Sequence, residues 1–495
     1  MKILPHQCYQ PITISNELVT PNTHLILLVS ERSLATALSV FEHTTQQHIK
    51  KVLSTLASPF EKGIHVSISC PINTELLSLT LICLPPKLPE DKLFNLVKKS
   101  ADGLSIDSSS TVRIADMVEH IESINLSLFT HFIQLFYRFD VFKTAKPDFS
   151  VPQIEIYSAA EPVDYLAELN ALNHGMWLTK DLANLPANIC TPAYLAQQSR
   201  LLADSFDTLT TEIYDAPAIA ALGMGAYTAV GRGSVNPAHM SVIHYQGGEG
   251  EPIVLIGKGV TFDAGGITLK KANGMGHMTY DMCGAATIIG IMHIIAQLAL
   301  QVNVIGIVAA VENLPDGDAY RPGDIITTMS GQTVEIMSTD AEGRLVIADV
   351  MTFAQRFTPK AMIDIATLTG AAIQSLGHVG SLMVSNHEKL AQQLLTASEV
   401  GMDKTWQMPL WDEYQEALDS QHADMLNAGV NSPGAISAGC FLSRYANKVP
   451  WAHLDVAGTA FMHGVGNSAT GRPLPLLLQY LKMSSSGQRG LTCSS

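Results

Sequence analysis

Positive charge is scarce in this chain: 30 Lys and Arg stand against 45 Asp and Glu, a formal net charge of −15. That sign opposes general attraction to nucleic acid or to an anionic lipid surface. Cysteine is sparse as well. The seven present (Cys8, Cys70, Cys83, Cys190, Cys283, Cys440, Cys493) are odd in number and contain no C-x-x-C pair. Such scatter argues against a disulfide frame or a thiolate zinc site and for reduced thiols in the cytoplasm. No secretion signal is expected, because the opening Met-Lys-Ile-Leu-Pro-His-Gln turns polar before a seven-residue apolar core forms. Charged residues of all kinds make up 15%, against 47% hydrophobic. That balance excludes a disordered chain and suits about two or three folded domains.

One stretch, 285–311, carries no charged residue and is long enough to span a bilayer. His293, Gln297, Gln301 and Asn303 punctuate it, and acidic motifs flank it on both sides. The better reading is a buried helix followed by a buried parallel strand over 304–311, since such strands are apolar on both faces. No membrane association is expected.

Helical and strand-like patterns alternate, which indicates an α/β fold. A smaller N-terminal α/β domain covers 1–160, with strand-like runs at 24–29, 65–69 and 79–83. A linker helix and connector cover 161–190, with 186–192 read as an extended link. A larger domain covers 191–483, and the Ser/Gly-rich residues 484–495 read as a disordered tail. The glycine-rich run 223–233 lacks the preceding apolar strand and the downstream acid that a dinucleotide site needs.

Two stretches carry chemistry. Residues 338–344, Ser-Thr-Asp-Ala-Glu-Gly-Arg, place Asp340 and Glu342 two positions apart beside a glycine and a cation. They follow a β-rich run at 333–337 and precede the apolar residues 345–348, so they read as a turn entering a buried helix. Turns of that kind at a sheet edge are where open α/β sheets bind ligands. An acidic first turn that merely complements the helix dipole would look the same. In the second stretch, Lys258 and Asp263 end a hydrophobic strand, Gly265-Gly266 permits a sharp turn, and Lys270 and Asp281 follow. If the two stretches are neighbours, four carboxylates and two lysines converge. Oxygen-rich sites suit magnesium, manganese or zinc, and two ions would neutralise acids that otherwise repel. A salt-bridged sheet edge remains the structural alternative.

Lys258, Asp263, Lys270, Asp281 and the run Thr339-Asp-Ala-Glu-Gly-Arg344 resemble the leucyl aminopeptidase, or cytosol aminopeptidase, family. The likeness covers roughly 184–480. It includes Glu312-Asn-Leu-Pro315, Arg321-Pro-Gly-Asp324, Met329-Ser-Gly-Gln332, Ala366-Thr-Leu-Thr-Gly-Ala371, His453-Leu-Asp455 and Ala469-Thr-Gly-Arg-Pro473. It implies an α/β/α catalytic domain with a mixed, mostly parallel central sheet, acting on peptides as a homohexamer, a dimer of trimers. It also implies two divalent metal ions per subunit. Lys258, Asp263, Asp281 and Glu342 would hold one ion, and Asp263, Asp340 and Glu342 the other. Lys258 would ligate as the neutral amine. Lys270 would polarise the scissile carbonyl, a water shared by both ions would attack, and Arg344 would hold a bicarbonate that shuttles protons. The side-chain pocket would be Met278, Thr367, Gly370 and Ala457, with a preference for Leu or Met. The chain departs from the family at Ser338, usually Asn; at Ala264, usually Ser or Thr; and at Gly276-His277, where His277 reads as a rim contact.

Two other functions share these residues: a catalytically silent hexameric scaffold that binds a partner, and a two-metal phosphoester hydrolase, which would need a cationic cradle for phosphate.

Overall fold

The computed structural model describes residues 9–69, 75–85, 90–102, 104, 106, 109–118, 122–145, 151–158, 165–429, 432–462 and 469–485. The opening residues read for a secretion signal, Cys8, Cys70, Cys493, and the expected tail beyond 485 lie outside them. The last described helix, Leu474–Ser485, runs two residues into that tail. Cys83, Cys190, Cys283 and Cys440 are free and buried.

The chain forms two compact units that divide between Asn173 and His174. In the first, strands β1 (Thr13–Ser15), β2 (Thr23–Val29), β3 (Ile64–Ser69), β4 (Ser78–Cys83), β5 (Thr111–Asp116) and β6 (Gln153–Tyr157) make one sheet in the order β1-β6-β5-β2-β4-β3. All neighbours are parallel except β3 and β4. Strand β2 is buried along its whole length, as a central parallel strand must be. Its Leu25, Leu27 and Val29 pack with Leu79 and Leu81 of β4 and with Ile49 and Leu53 of the helix His43–Ser54.

The larger unit is built on an eight-stranded sheet. Its strands are β7 (Leu209–Asp215), β8 (His239–Gln246), β9 (Ile253–Asp263), β10 (Asn303–Asn313), β13 (Ala361–Ala366), β14 (Ser381–Ser385), β15 (Thr405–Gln407) and β17 (Trp451–Asp455). They run in the order β15-β14-β17-β13-β9-β10-β8-β7. The centre from β17 through β13 and β9 to β10 is parallel, and antiparallel pairs lie further out. The mixed, mostly parallel sheet read from the sequence is therefore present. Strands β11 (Ile325–Thr327), β12 (Thr333–Glu335) and β16 (Met425–Leu426) form a separate small sheet. The β-rich run before Asp340 thus belongs to this side sheet and not to the central one.

The apolar stretch 285–311 is what its composition demanded. Helix Cys283–Gln297 is buried from Cys283 to Ala296, and β10 pairs parallel with β9 and antiparallel with β8. The window 272–297 is the one described segment long and apolar enough to cross a membrane, and 89% of it is buried in the protein. Residues 186–192 turn back on themselves, with Ile189 and Cys190 amides donating to the Pro186 carbonyl, so they are not extended. The helix Leu166–Asn184 spans the point where the units divide.

Strand parity places the site. Residues two apart on a strand share a face. Val254, Ile256 and Val260 of β9 share a core with Leu345, Val346 and Ile347 of the helix Gly343–Ala354, so Lys258 faces that helix too.

Candidate active site

Lys258 lies in the apolar strand β9, yet its ammonium is matched on every side. Nζ donates to Asp281 Oδ1 at 2.9 Å and to the Thr367 carbonyl at 3.1 Å, and stands 2.8 Å from Glu342 Oε1. Its close approach to the helix needs Gly343: a Cβ there would lie 2.6 Å from Lys258 Cε and 2.7 Å from Nζ. At the end of β9 the chain turns through Gly265 and Gly266, both at positive φ, which glycine adopts without strain. The turn returns Lys270, whose Nζ bridges Asp263 Oδ2 at 2.7 Å and Asp340 Oδ1 at 2.5 Å.

Asp263, Asp340 and Glu342 each offer an oxygen, and these oxygens lie within 4.8 Å of one another. The three carboxylates, with Asp281, Lys258 and Lys270, line one cavity of about 310 Å³. Met278, Thr367, Gly370 and Ala457 line the same cavity, as does His277. Asp281 is not on a strand. It follows the 3-10 turn Gly276–Tyr280, and Thr367 Oγ1 donates to it at 2.8 Å. Arg344 does not line the cavity. It is buried in the first turn of the helix Gly343–Ala354, donates through Nη1 to the Asn427 carbonyl at 3.0 Å, and leaves Nε without a partner.

Four carboxylates face two lysines, so the cavity has an excess of negative charge. Burial, then Glu342 and Asp281, push the Asp263 carboxyl well up. Burial likewise raises Asp281, to about 6, and Asp340. Burial works to lower both lysines, but the surrounding carboxylates outweigh it and hold both ammonium groups up. For Lys258 this is the opposite of what a neutral-amine ligand requires; only an adjacent dication would reverse the balance. The donor set fits a hard or borderline divalent cation: three converging carboxylate oxygens, a fourth acid nearby, and lysines now serving as their counter-charges.

Residues 177–478 match the catalytic domain of the cytosol aminopeptidase family. The chain belongs to that family. As a cytosol aminopeptidase family member it is a peptidase, a hydrolase. It is 52% identical over 355 residues to a probable cytosol aminopeptidase of Tolumonas auensis, covering 70% of this chain and 71% of that one. It is 51% identical over 364 residues to the cytosol aminopeptidase of Vibrio cholerae, covering 71% and 72%. Among solved structures it resembles the bottromycin maturation enzyme BotP, with a TM-score of 0.81, 28% identity, and 94% of this chain and 100% of that one covered. The same enzyme in complex with Mn matches at 0.80 and 27%, with the same coverage.

Around the cavity of this cytosol aminopeptidase family member, several residues have no role that the sequence assigned. Asn313, at the end of β10, donates through Nδ2 to Asp263 Oδ1 at 2.8 Å and to the Thr339 carbonyl at 2.9 Å. Tyr320 donates to the same carbonyl at 2.8 Å, and Thr339 Oγ1 donates to the Gly265 carbonyl at 2.5 Å. These bonds lace the two acidic stretches together. Asn427 fixes the approach to Asp340: Oδ1 accepts from the Met337 and Ser338 amides, and Nδ2 donates to the Ser338 and Ala341 carbonyls. At the departures from the family pattern, Ser338 Oγ accepts from the Asp340 amide at 3.2 Å, and the Ala264 amide donates to the Asn313 carbonyl at 2.9 Å. Asn313 stands inside a stretch that marks the family likeness. The signal that would have singled it out is an amide side chain ending an otherwise apolar strand.

Proposed function

We propose that this chain is a metal-dependent aminopeptidase that releases apolar, Leu- or Met-like residues from the N-termini of short peptides in the cytoplasm, as a homohexamer built as a dimer of trimers. The observation that carries the reading is one cavity holding both acidic stretches, both lysines and a small apolar pocket. Asp263, Asp281, Asp340, Glu342 and Lys258 are the ligand set for two divalent ions, manganese or zinc with magnesium as a third candidate. When bound, such ions polarise the scissile carbonyl and make water acidic enough to act as nucleophile near neutral pH.

The chain's own residues do the rest. Asp281 offers a carboxylate to the substrate's α-ammonium, which limits cleavage to the first residue. Lys270, held charged by Asp263 and Asp340, places a cation where negative charge develops on the carbonyl oxygen. Met278, Thr367, Gly370 and Ala457 receive the first side chain, and the thioether of Met278 adapts to unbranched or branched apolar groups. Arg344, which the resemblance assigns to a bicarbonate, lies outside the cavity lining, and its unsatisfied Nε is the donor it offers to such an anion. The phosphoester alternative needs a cationic cradle, and the cavity sets four carboxylates against its two lysines, which disfavours an anionic phosphoester.

The test is release of leucine from leucinamide by metal-loaded protein. Chelation and Asp281→Ala should each abolish it. Metal-loaded wild type that releases no N-terminal residue from any aminoacyl amide would end the proposal.

A further inference from the structure

Behind the pocket walls lies a carboxylate that does not line the cavity. Asp455 ends β17 and is 1% exposed. In the sheet its backbone is paired with Ala366 of β13 on one side and Leu382 of β14 on the other. Its side chain reaches the turn that continues β13 and folds back on the residues just after its own strand. Oδ1 accepts from the Leu368 amide at 3.2 Å and the Ala457 amide at 3.1 Å, and Oδ2 accepts from Thr369 Oγ1 at 2.7 Å.

Each partner belongs to the pocket. Ala457 is one wall. Thr369 caps the helix Gly370–Leu376, its Oγ1 accepting from the Ala372 amide at 3.1 Å, and that helix supplies Gly370 and Ile373 to the cavity. Thr367, one residue before Leu368, binds both Lys258 and Asp281. A single buried carboxylate therefore ties together two walls that arrive from positions 367–373 and 457. Desolvating a carboxylate is costly unless its oxygens are filled by donors, and here the donors are the pocket's own backbone and cap.

We propose that Asp455 is a positioning residue that sets the width of the pocket for the substrate's first side chain, and thereby which side chain is preferred. This rests on the aminopeptidase reading above. Removing one acceptor lets the 367–373 wall and Ala457 separate. A wider apolar pocket loses contact with a leucine side chain, while alanine, which fills little of it, is affected less. One methylene in an apolar pocket is worth about 10-fold to 200-fold, and loss of contact on that scale should lower the leucine-over-alanine preference about tenfold.

The experiment measures kcat and KM for a series of aminoacyl amides (Ala, Val, Leu, Met, Phe) with wild type, Asp455→Asn and Asp455→Ala. Bound metal and Tm are recorded for each. Expected for Asp455→Asn is a preference shifted toward other sizes, carried mainly in KM, with metal content unchanged. Thr369→Val, which removes the hydroxyl that both donates to Asp455 and caps the helix at Ala372, should shift the series in the same direction. Thr369→Ser should restore it, which keeps the proposal testable if the Asp455 variants fold poorly. An equal reduction for every substrate, or no change in the series, would overturn the role of Asp455 while leaving the aminopeptidase reading intact. Wild type without activity on any of them would overturn both.

Discussion

The two units solve the same architectural problem with sheets of buried aliphatic strands, yet they treat charge differently. In the first unit, buried charge is structural: the Arg113 guanidinium, 3% exposed, is paired with Glu155 across neighbouring strands and donates to the Glu17 carbonyl at 2.7 Å. In the larger unit, Lys258, Asp263, Asp281 and Glu342 are all buried at one place, and the acids outnumber the lysines they face. Buried charge that is fully matched holds a fold together. Buried acids left in excess, as around Lys258 among the described residues of the larger unit, are what a bound cation would offset.

The contrast can be broken most severely at Gly343. Gly343→Ala puts a Cβ within 2.7 Å of Lys258 Nζ, and that amine is held by three partners and cannot swing aside freely. A displacement of about 1 Å at such a site costs roughly 100-fold in rate, so leucine release and bound metal should both collapse while the fold persists by circular dichroism. The first unit should answer in the opposite currency of effect. Glu155→Ala strands a buried guanidinium and should cost roughly 3 kcal/mol of that unit's stability, read by denaturant titration, with no change in leucine release under conditions where the unit stays folded.

Asn313→Ala should have a milder effect on the same cavity. It removes the donor to Asp263 and one of the ties between the acidic stretches, and loss of such an outer partner typically lowers metal affinity about 10-fold to 100-fold. A separate effect, on acid stability, comes from a buried histidine remote from this chemistry. Burial first, then the neighbouring His174, pull His293 from its ordinary 6.5 down to about 3, and the rings of His174 and Phe206 pack against it. The unfolded chain takes up this proton below about 6.5 and the folded chain does not, so the contribution is complete above that pH and is lost as pH falls toward 3. The slope approaches about 1.4 kcal/mol per pH unit. His293→Leu should flatten the acid limb of a Tm-against-pH curve.

Much of this was legible in the sequence because composition and chemistry pointed the same way. The run 285–311 had to be buried, and acids beside glycines at the ends of apolar strands had to meet something cationic. What escaped depends on contacts across long chain separations. Asn313 and Asp455 both stood inside stretches that carry the family likeness. Their work is done by hydrogen bonds spanning 50 residues in one case and 86 or 87 in the other, and no local pattern encodes those. The side sheet of β11, β12 and β16 was hidden for a similar reason: two- and three-residue strands have too little periodicity to reveal their partner. The turn at 186–192 was misread as extended because two prolines suggest a link whichever way the backbone bends.

If the two acidic stretches together hold a pair of divalent ions in one cavity, the ions can be counted. The most direct measurement is the number of manganese ions bound per chain, by equilibrium dialysis and elemental analysis, for wild type and Asp263→Asn. The account predicts two ions per wild-type chain, with both weakened in the variant because Asp263 serves each. Fewer than two ions in the wild type, or undiminished binding in Asp263→Asn, would contradict it.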